Sequence, residues 1–138
     1  GSALVYSTYL GGGGYENGEG IAVNAAGEAF VTGYAWGTAA GFPTACGPYD
    51  ATSNGGAYDL FVTKLDATGS ALLYSTYFGG GSDDYHSAIA VYGSGCTETF
   101  VIGGASHSGN FPVTAGVFQN TKLKTGVWNL KYLHVAIV

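Results

Sequence analysis

One decapeptide occurs twice in the chain. Ala3-Leu4-Val5-Tyr6-Ser7-Thr8-Tyr9-Leu10-Gly11-Gly12 returns 68 positions later as Ala71-Leu72-Leu73-Tyr74-Ser75-Thr76-Tyr77-Phe78-Gly79-Gly80, with only conservative replacements. A motif repeated at that spacing makes everything between the copies one supersecondary unit and the remainder a second copy of it. The chain therefore divides into a repeat over 1–70 and a second over 71–138. Gly1-Ser2 stand before the first copy as Gly69-Ser70 stand before the second, so they belong to the repeat. Units of this kind cannot bury their apolar faces alone and do so by stacking on neighbours.

Within the motif Leu4, Tyr6, Thr8 and Leu10 alternate with Val5, Ser7 and Tyr9, which predicts a strand over 3–10 with two largely apolar faces. Such a strand suits a place covered on both sides, and Gly11 to Gly14 end it. An acidic, glycine-rich loop is expected over 15–20. Residues 21–23 and 29–34 flank a short Asn/Gly connection and read as a hairpin. The second copy repeats this hairpin with 89–91 and 99–103, joined by a connection two residues longer that places Cys96 at its tip. A long connection from 35 to 58 follows, carrying Trp36 and Gly41-Phe42-Pro43-Thr44, and its counterpart carries Phe111-Pro112. In both, Pro fixes φ and Phe is expected to anchor the loop to the sheet edge. A strand over 59–65 and a turn over 66–69 close the unit, giving four strands per repeat. In the second copy 126–135 aligns with this region, Leu130 taking the place of Leu60, and the chain ends at Val138 without a third Tyr-Ser-Thr-Tyr strand.

Composition agrees with an all-β fold. Gly (25 residues) and Tyr (11 residues) are abundant, and only 9% of the chain is charged, against about a quarter in ordinary domains. β-Branched and aromatic side chains pack on a pleated surface, while Gly supplies the turns. The net charge is −5 and there is no Arg, which removes the fork that grips phosphates and argues against a nucleic-acid partner. The longest apolar run, near the C-terminus, is interrupted by Asn129, Lys131 and His134 and is too short to span a bilayer, so no membrane insertion is expected.

Leu-Val-Tyr-Ser-Thr-Tyr-Leu-Gly-Gly, Gly-Ile-Ala-Val, Ala-Phe-Val-Thr-Gly, Phe-Pro-Thr and Asp-Leu-Phe-Val-Thr-Lys-Leu together resemble the SBBP-type (seven-bladed beta-propeller) repeats of bacterial and archaeal surface and secreted proteins. The likeness runs over residues 1 to about 118, and the tail 119–138 diverges from it. The resemblance implies one four-stranded blade per repeat, an extracellular or cell-surface setting, and no catalytic motif to carry over. Two blades cannot close a ring. By phase the strand over 3–10 belongs to a preceding blade, whereas the second copy lacks its closing strand, so one end offers a strand and the other an unfilled edge. The expectation is a non-catalytic module that assembles with copies of itself into a filament or ring. Its donor residues would be Leu4, Tyr6, Thr8 and Leu10, and its acceptor residues Leu130, Tyr132, Leu133 and Val135. A fragment of a longer propeller is the competing explanation.

Turns of a four-stranded meander alternate between two rims, and one rim gathers Tyr15, Glu16, Glu19, Trp36, Asp83, Asp84, His86 and His107. Aromatic faces beside carboxylates suit sugars, which makes a lectin-like module binding surface glycans the alternative function. Asp83 and Asp84 would suit Ca²⁺, although they lack EF-hand spacing; no other metal or cofactor is expected, and solvated turn residues are the simpler reading. Asp84, His86 and Ser87 crowd along one loop rather than converging as a hydrolase triad does, and the chain is not expected to be an enzyme. Cys46 and Cys96 allow one disulfide, within the chain or between stacked copies.

Overall fold

Short polar turns set the frame. Asn24 Oδ1 accepts from the amides of Ala26 at 3.0 Å and Glu28 at 2.9 Å, reversing the chain between the first two strands. Asp66 Oδ1 accepts from the amides of Ser70 at 2.7 Å and Ala71 at 3.0 Å and does the same for the next pair. These Asx-type bonds replace the ladder at each reversal. The computed structural model describes residues 1–37, 41–92, 99–121 and 132–137, with the backbone alone at 86, 87 and 132–137.

Among the described residues the chain is all-β. Strands β1 (Tyr15–Val23), β2 (Ala29–Trp36), β3 (Tyr58–Leu65) and β4 (Leu72–Phe78) form an antiparallel meander in that order. Strands β5 (Asp84–Tyr92), β6 (Thr99–Ser106) and β7 (Tyr132–Ile137) form a second, three-stranded sheet. The second copy of the decapeptide is β4. Its outer edge is covered by the preceding connection: Ala45 and Ser75 exchange amide–carbonyl bonds of 3.1 and 3.2 Å, and the Tyr77 amide donates to Asp50 O at 3.0 Å. Phe42 anchors that connection as its motif predicts, buried and stacked 4.3 Å from Phe61.

Three sequence expectations are corrected. Residues 15–20 are not a loop but the first part of β1, pairing with β2 from Tyr15↔Trp36 to Gly18↔Gly33. Glu19 is bulged out between Gly18 and Gly20, and a Cβ at Gly33 would lie 1.9 Å from Asn17 O, so this approach of two strands requires glycine. Residues 3–10 form no strand, because no ladder partner stands beside them in the chain; Leu4 and Val5 are exposed, Tyr6 lies against Gly69, and Leu10 packs on the cluster of Ala35, Phe42, Phe61 and Tyr77. Finally, the third strand of the second copy, the counterpart of β3, falls later than its alignment suggests. β7 begins at Tyr132 and pairs Leu133 with Ala105 and Val135 with Gly103, while Leu130 lies outside the described residues.

The two sheets meet in a core of Phe30, Leu60, Val62, Phe78, Phe100 and Ile102, with Ile89 and Val91 packed on it. β1 and β5 relate as translated copies. Ile89 and Val91 of β5 point into the first sheet, and Ile21 and Val23, their sequence counterparts, share the opposite face of that sheet with Val31 and Ala29. The middle strands do not. Phe30 and its counterpart Phe100 face each other with ring centroids 6.0 Å apart. The cause is register: of the two extra residues in the second hairpin, one extends β5 to Tyr92, so Ile89 pairs with Ile102 where Ile21 pairs with Val31. A one-residue slip turns every side chain of a strand to the other face.

Candidate functional site

The two copies of the decapeptide occupy opposite environments. In β4, Ser75 and Thr76 are buried, and their hydroxyls are all engaged. Ser75 Oγ donates to Pro43 O at 2.7 Å and lies 2.9 Å from Thr63 Oγ1, while Thr76 Oγ1 accepts from the Asp50 amide at 2.9 Å. Tyr77 is 5% exposed there, beneath Phe42. In the first copy, Ser7 and Thr8 are exposed, Tyr9 is fully exposed, and Thr8 Oγ1 donates only to the adjacent Tyr9 carbonyl at 3.2 Å. Half-buried Tyr6 lies close against Gly69, so the segment touches the β3–β4 turn. At the other end of the chain, β7 occupies an edge of the second sheet, in the place β3 holds inside the first. Of the acceptor residues, Tyr132, Leu133 and Val135 are on β7, registered opposite Ser106, Ala105 and Gly103.

The rim residues separate into two groups. Trp36, Asp83 and His107 do converge, and they do so around three tyrosines that the sequence reading missed. Tyr34 packs edge-on against Tyr58 at 5.2 Å and Tyr85 at 5.7 Å; Tyr58 lies 6.3 Å from Trp36, and Tyr85 5.7 Å from His107. The signal available was aromatic residues at adjoining strand ends, which only register can align. Tyr15 stands beside Trp36 on the neighbouring strand, and both are exposed. Asp83 is held in place, its Oδ1 accepting from the Ala57 amide at 2.6 Å. Glu19 projects from the bulge with Asn17 Nδ2 3.3 Å away. His86 is on β5, opposite Gly104, and its side chain lies outside the description.

Asp84 is a correction. It is fully buried rather than a solvated rim acid, and its carboxylate accepts from the Gly80 amide at 2.6 Å, from Ser108 Oγ at 2.8 Å and from Ser106 Oγ. These bonds tie β5 to β6 and to the glycine turn after β4. Asp59 of β3 approaches from the other side: a Cβ on Gly79 would lie 2.8 Å from both Asp59 Oδ1 and Asp84 Oδ2. Gly79 is thus required because two carboxylates close on it, and Gly80 because Ser108 and Asn110 do. Asp59 Oδ2 accepts from the Asn54 amide at 2.8 Å, whereas Oδ1 is buried without a hydrogen-bond partner. Burial, with the charges of Asp84 and Asp50 adding to it, pushes the Asp59 carboxyl up to about 6. In the first repeat Glu16 occupies the related place, with Oε2 2.9 Å from a Cβ built on Gly11.

Among the described residues no three His, Cys, Asp or Glu side chains are grouped to hold a metal ion, and the donors to Asp84 already occupy its carboxylate. Cys46 is an exposed free thiol at φ 58°, and Cys96 lies outside the described residues. The chain matches no protein-family model and no curated protein.

Proposed function

We propose that the chain is a non-catalytic structural module that assembles with copies of itself, residues 3–10 of one copy completing the sheet of the next beside β7. One observation carries the reading: the same Ser-Thr-Tyr sequence is buried and paired with β3 at 75–77 but exposed and outside any ladder at 7–9, where Tyr9 is fully exposed against 5% for Tyr77. A sequence that packs in one place within the fold has the chemistry to pack in an equivalent place, and the second sheet, with three strands to the first sheet's four, supplies it. Each sheet is then a propeller-like blade of four strands, and the copies join head to tail as a filament or close as a ring. The motif resemblance supports an extracellular or cell-surface setting.

Thr8→Pro tests the reading. In β4 the amides of Ser75 and Tyr77 bond outward to Ala45 O and Asp50 O, so that of Thr76, the counterpart of Thr8, faces β3. Proline at 8 removes the amide that would face β7, yet 3–10 makes no ladder bonds in the single chain. In sedimentation velocity the wild-type protein is expected to assemble with rising concentration and Thr8→Pro to remain monomeric at the same concentrations. A wild type that stays monomeric throughout, or a variant that assembles equally well, refutes strand donation.

The exposed pair Tyr15 and Trp36, backed by Tyr58 and by fixed Asp83, supports a second reading as a glycan-binding surface. Sugars stack on such faces and bond to adjacent acids. Retention on a glycan array that Trp36→Ala abolishes, with assembly unchanged, would favour it.

A further inference from the structure

The exposed face of β1 is inferred to be a second contact surface of the same junction, and its partner a second copy of this chain. Ile21 is 69% exposed and Val23 61% exposed, two β-branched side chains on one face of an edge strand. Their counterparts in the second repeat, Ile89 and Val91, are not exposed in this way: they are half-buried against the core cluster to which the first sheet contributes Phe30, Leu60, Val62 and Phe78. The Ile-Ala-Val sequence therefore has one demonstrated use in this fold, docking its sheet onto the sheet before it. From the geometry we infer that Ile21 and Val23 dock the first sheet onto the second sheet of another copy.

The face offered by that second sheet fits. Ala88 and Ala90, exposed on β5, and Val101 and Ala105, half-buried on β6, point away from the first sheet, and none is charged. Ala88 and Ala90 leave room there for Ile21 and Val23, and Tyr92, on the same face of β5 and exposed, adds an apolar ring at its end. The inference rests on the proposed self-assembly and extends it. Strand donation alone joins backbone edges, whereas this contact buries side chains across the sheets, so one junction would repeat both contacts that hold the two repeats together within the chain.

The experiment compares wild type, Thr8→Pro and Ile21→Lys/Val23→Lys by sedimentation velocity over a concentration series. Because both side chains are exposed in the single chain, the double variant should keep the circular dichroism and urea midpoint of the wild type. If the lysines disturb the monomer, Ile21→Thr/Val23→Thr replaces them and keeps β-branching. The expected result is an assembly midpoint raised at least about tenfold, since removing two apolar anchors from a contact costs more than the 1.4 kcal/mol that a factor of ten represents. A double variant that assembles at wild-type concentrations while Thr8→Pro does not overturns the face contact and leaves strand donation standing. A monomeric wild type overturns both.

Discussion

Asp59 offers a prediction whose size follows from its surroundings. The side chain is 2% exposed, one oxygen has a single class of partner in the Asn54–Gly55 amides, and the other has none. With its carboxyl pushed up to about 6, the folded chain holds a proton at Asp59 between about pH 4 and 6 that the unfolded chain has released. The contribution is therefore full below about pH 4 and is lost as pH rises through 6. A displacement of roughly two pH units corresponds to about 3 kcal/mol of stability lost by pH 7. Asp59→Asn keeps the shape and an acceptor for the Asn54 amide while removing the ionisation. The variant should match the wild type at pH 4 and exceed it by up to about 3 kcal/mol at pH 7. Asp66, held down to about 2 chiefly by the Thr68 hydroxyl, acts in the opposite sense at lower pH, but it is common to both proteins and cancels in the difference. Urea unfolding followed by tryptophan fluorescence at dilute, unassembled concentration, from pH 4 to 7.5, measures it. Parallel curves for the two proteins, or an Asn variant less stable at pH 7, would refute the argument from burial.

Two further substitutions test how the first sheet is held. Phe42→Ala removes a buried ring stacked on Phe61 and should cost about 3–4 kcal/mol in urea unfolding, with a cost under 1 kcal/mol showing that the connection is not anchored there. Gly33→Ala places a methyl group 1.9 Å from Asn17 O in backbone that cannot yield, so it should open the β1–β2 pair. Amide exchange of residues 15–18 should then rise well above that of β3, and unchanged exchange would contradict the bulge geometry.

The sequence reading located elements wherever a side-chain pattern alone decides them. The decapeptide foretold β4, and the Asn/Gly connection foretold the β1–β2 hairpin, because alternation and turn chemistry are local. Residues 15–20 escaped it, since glycine and acids signal a loop and only the facing Tyr34 to Trp36 ladder makes them a strand. The start of β7 and the slip of β6 depend on how inserted residues divide between strand and connection, which no local signal fixes. Asp84 read as a solvated acid because Ser106 and Ser108, more than twenty positions away, enter its surroundings only through the fold. The aromatic cluster was half legible for the same reason: Trp36 and His107 are conspicuous in sequence, whereas Tyr34, Tyr58 and Tyr85 gain meaning only when three strand ends meet.

The central claim is that residues 3–10 become a strand in the presence of a second copy. Amide hydrogen exchange of that segment, read by mass spectrometry at low and high protein concentration, tests it most directly, since ladder hydrogen bonds protect amides and exposed chain does not. The account predicts fast exchange over 3–10 in dilute solution and strong protection at high concentration, approaching that of 72–78 in β4. Fast exchange over 3–10 at every concentration, with β4 protected throughout, would contradict it.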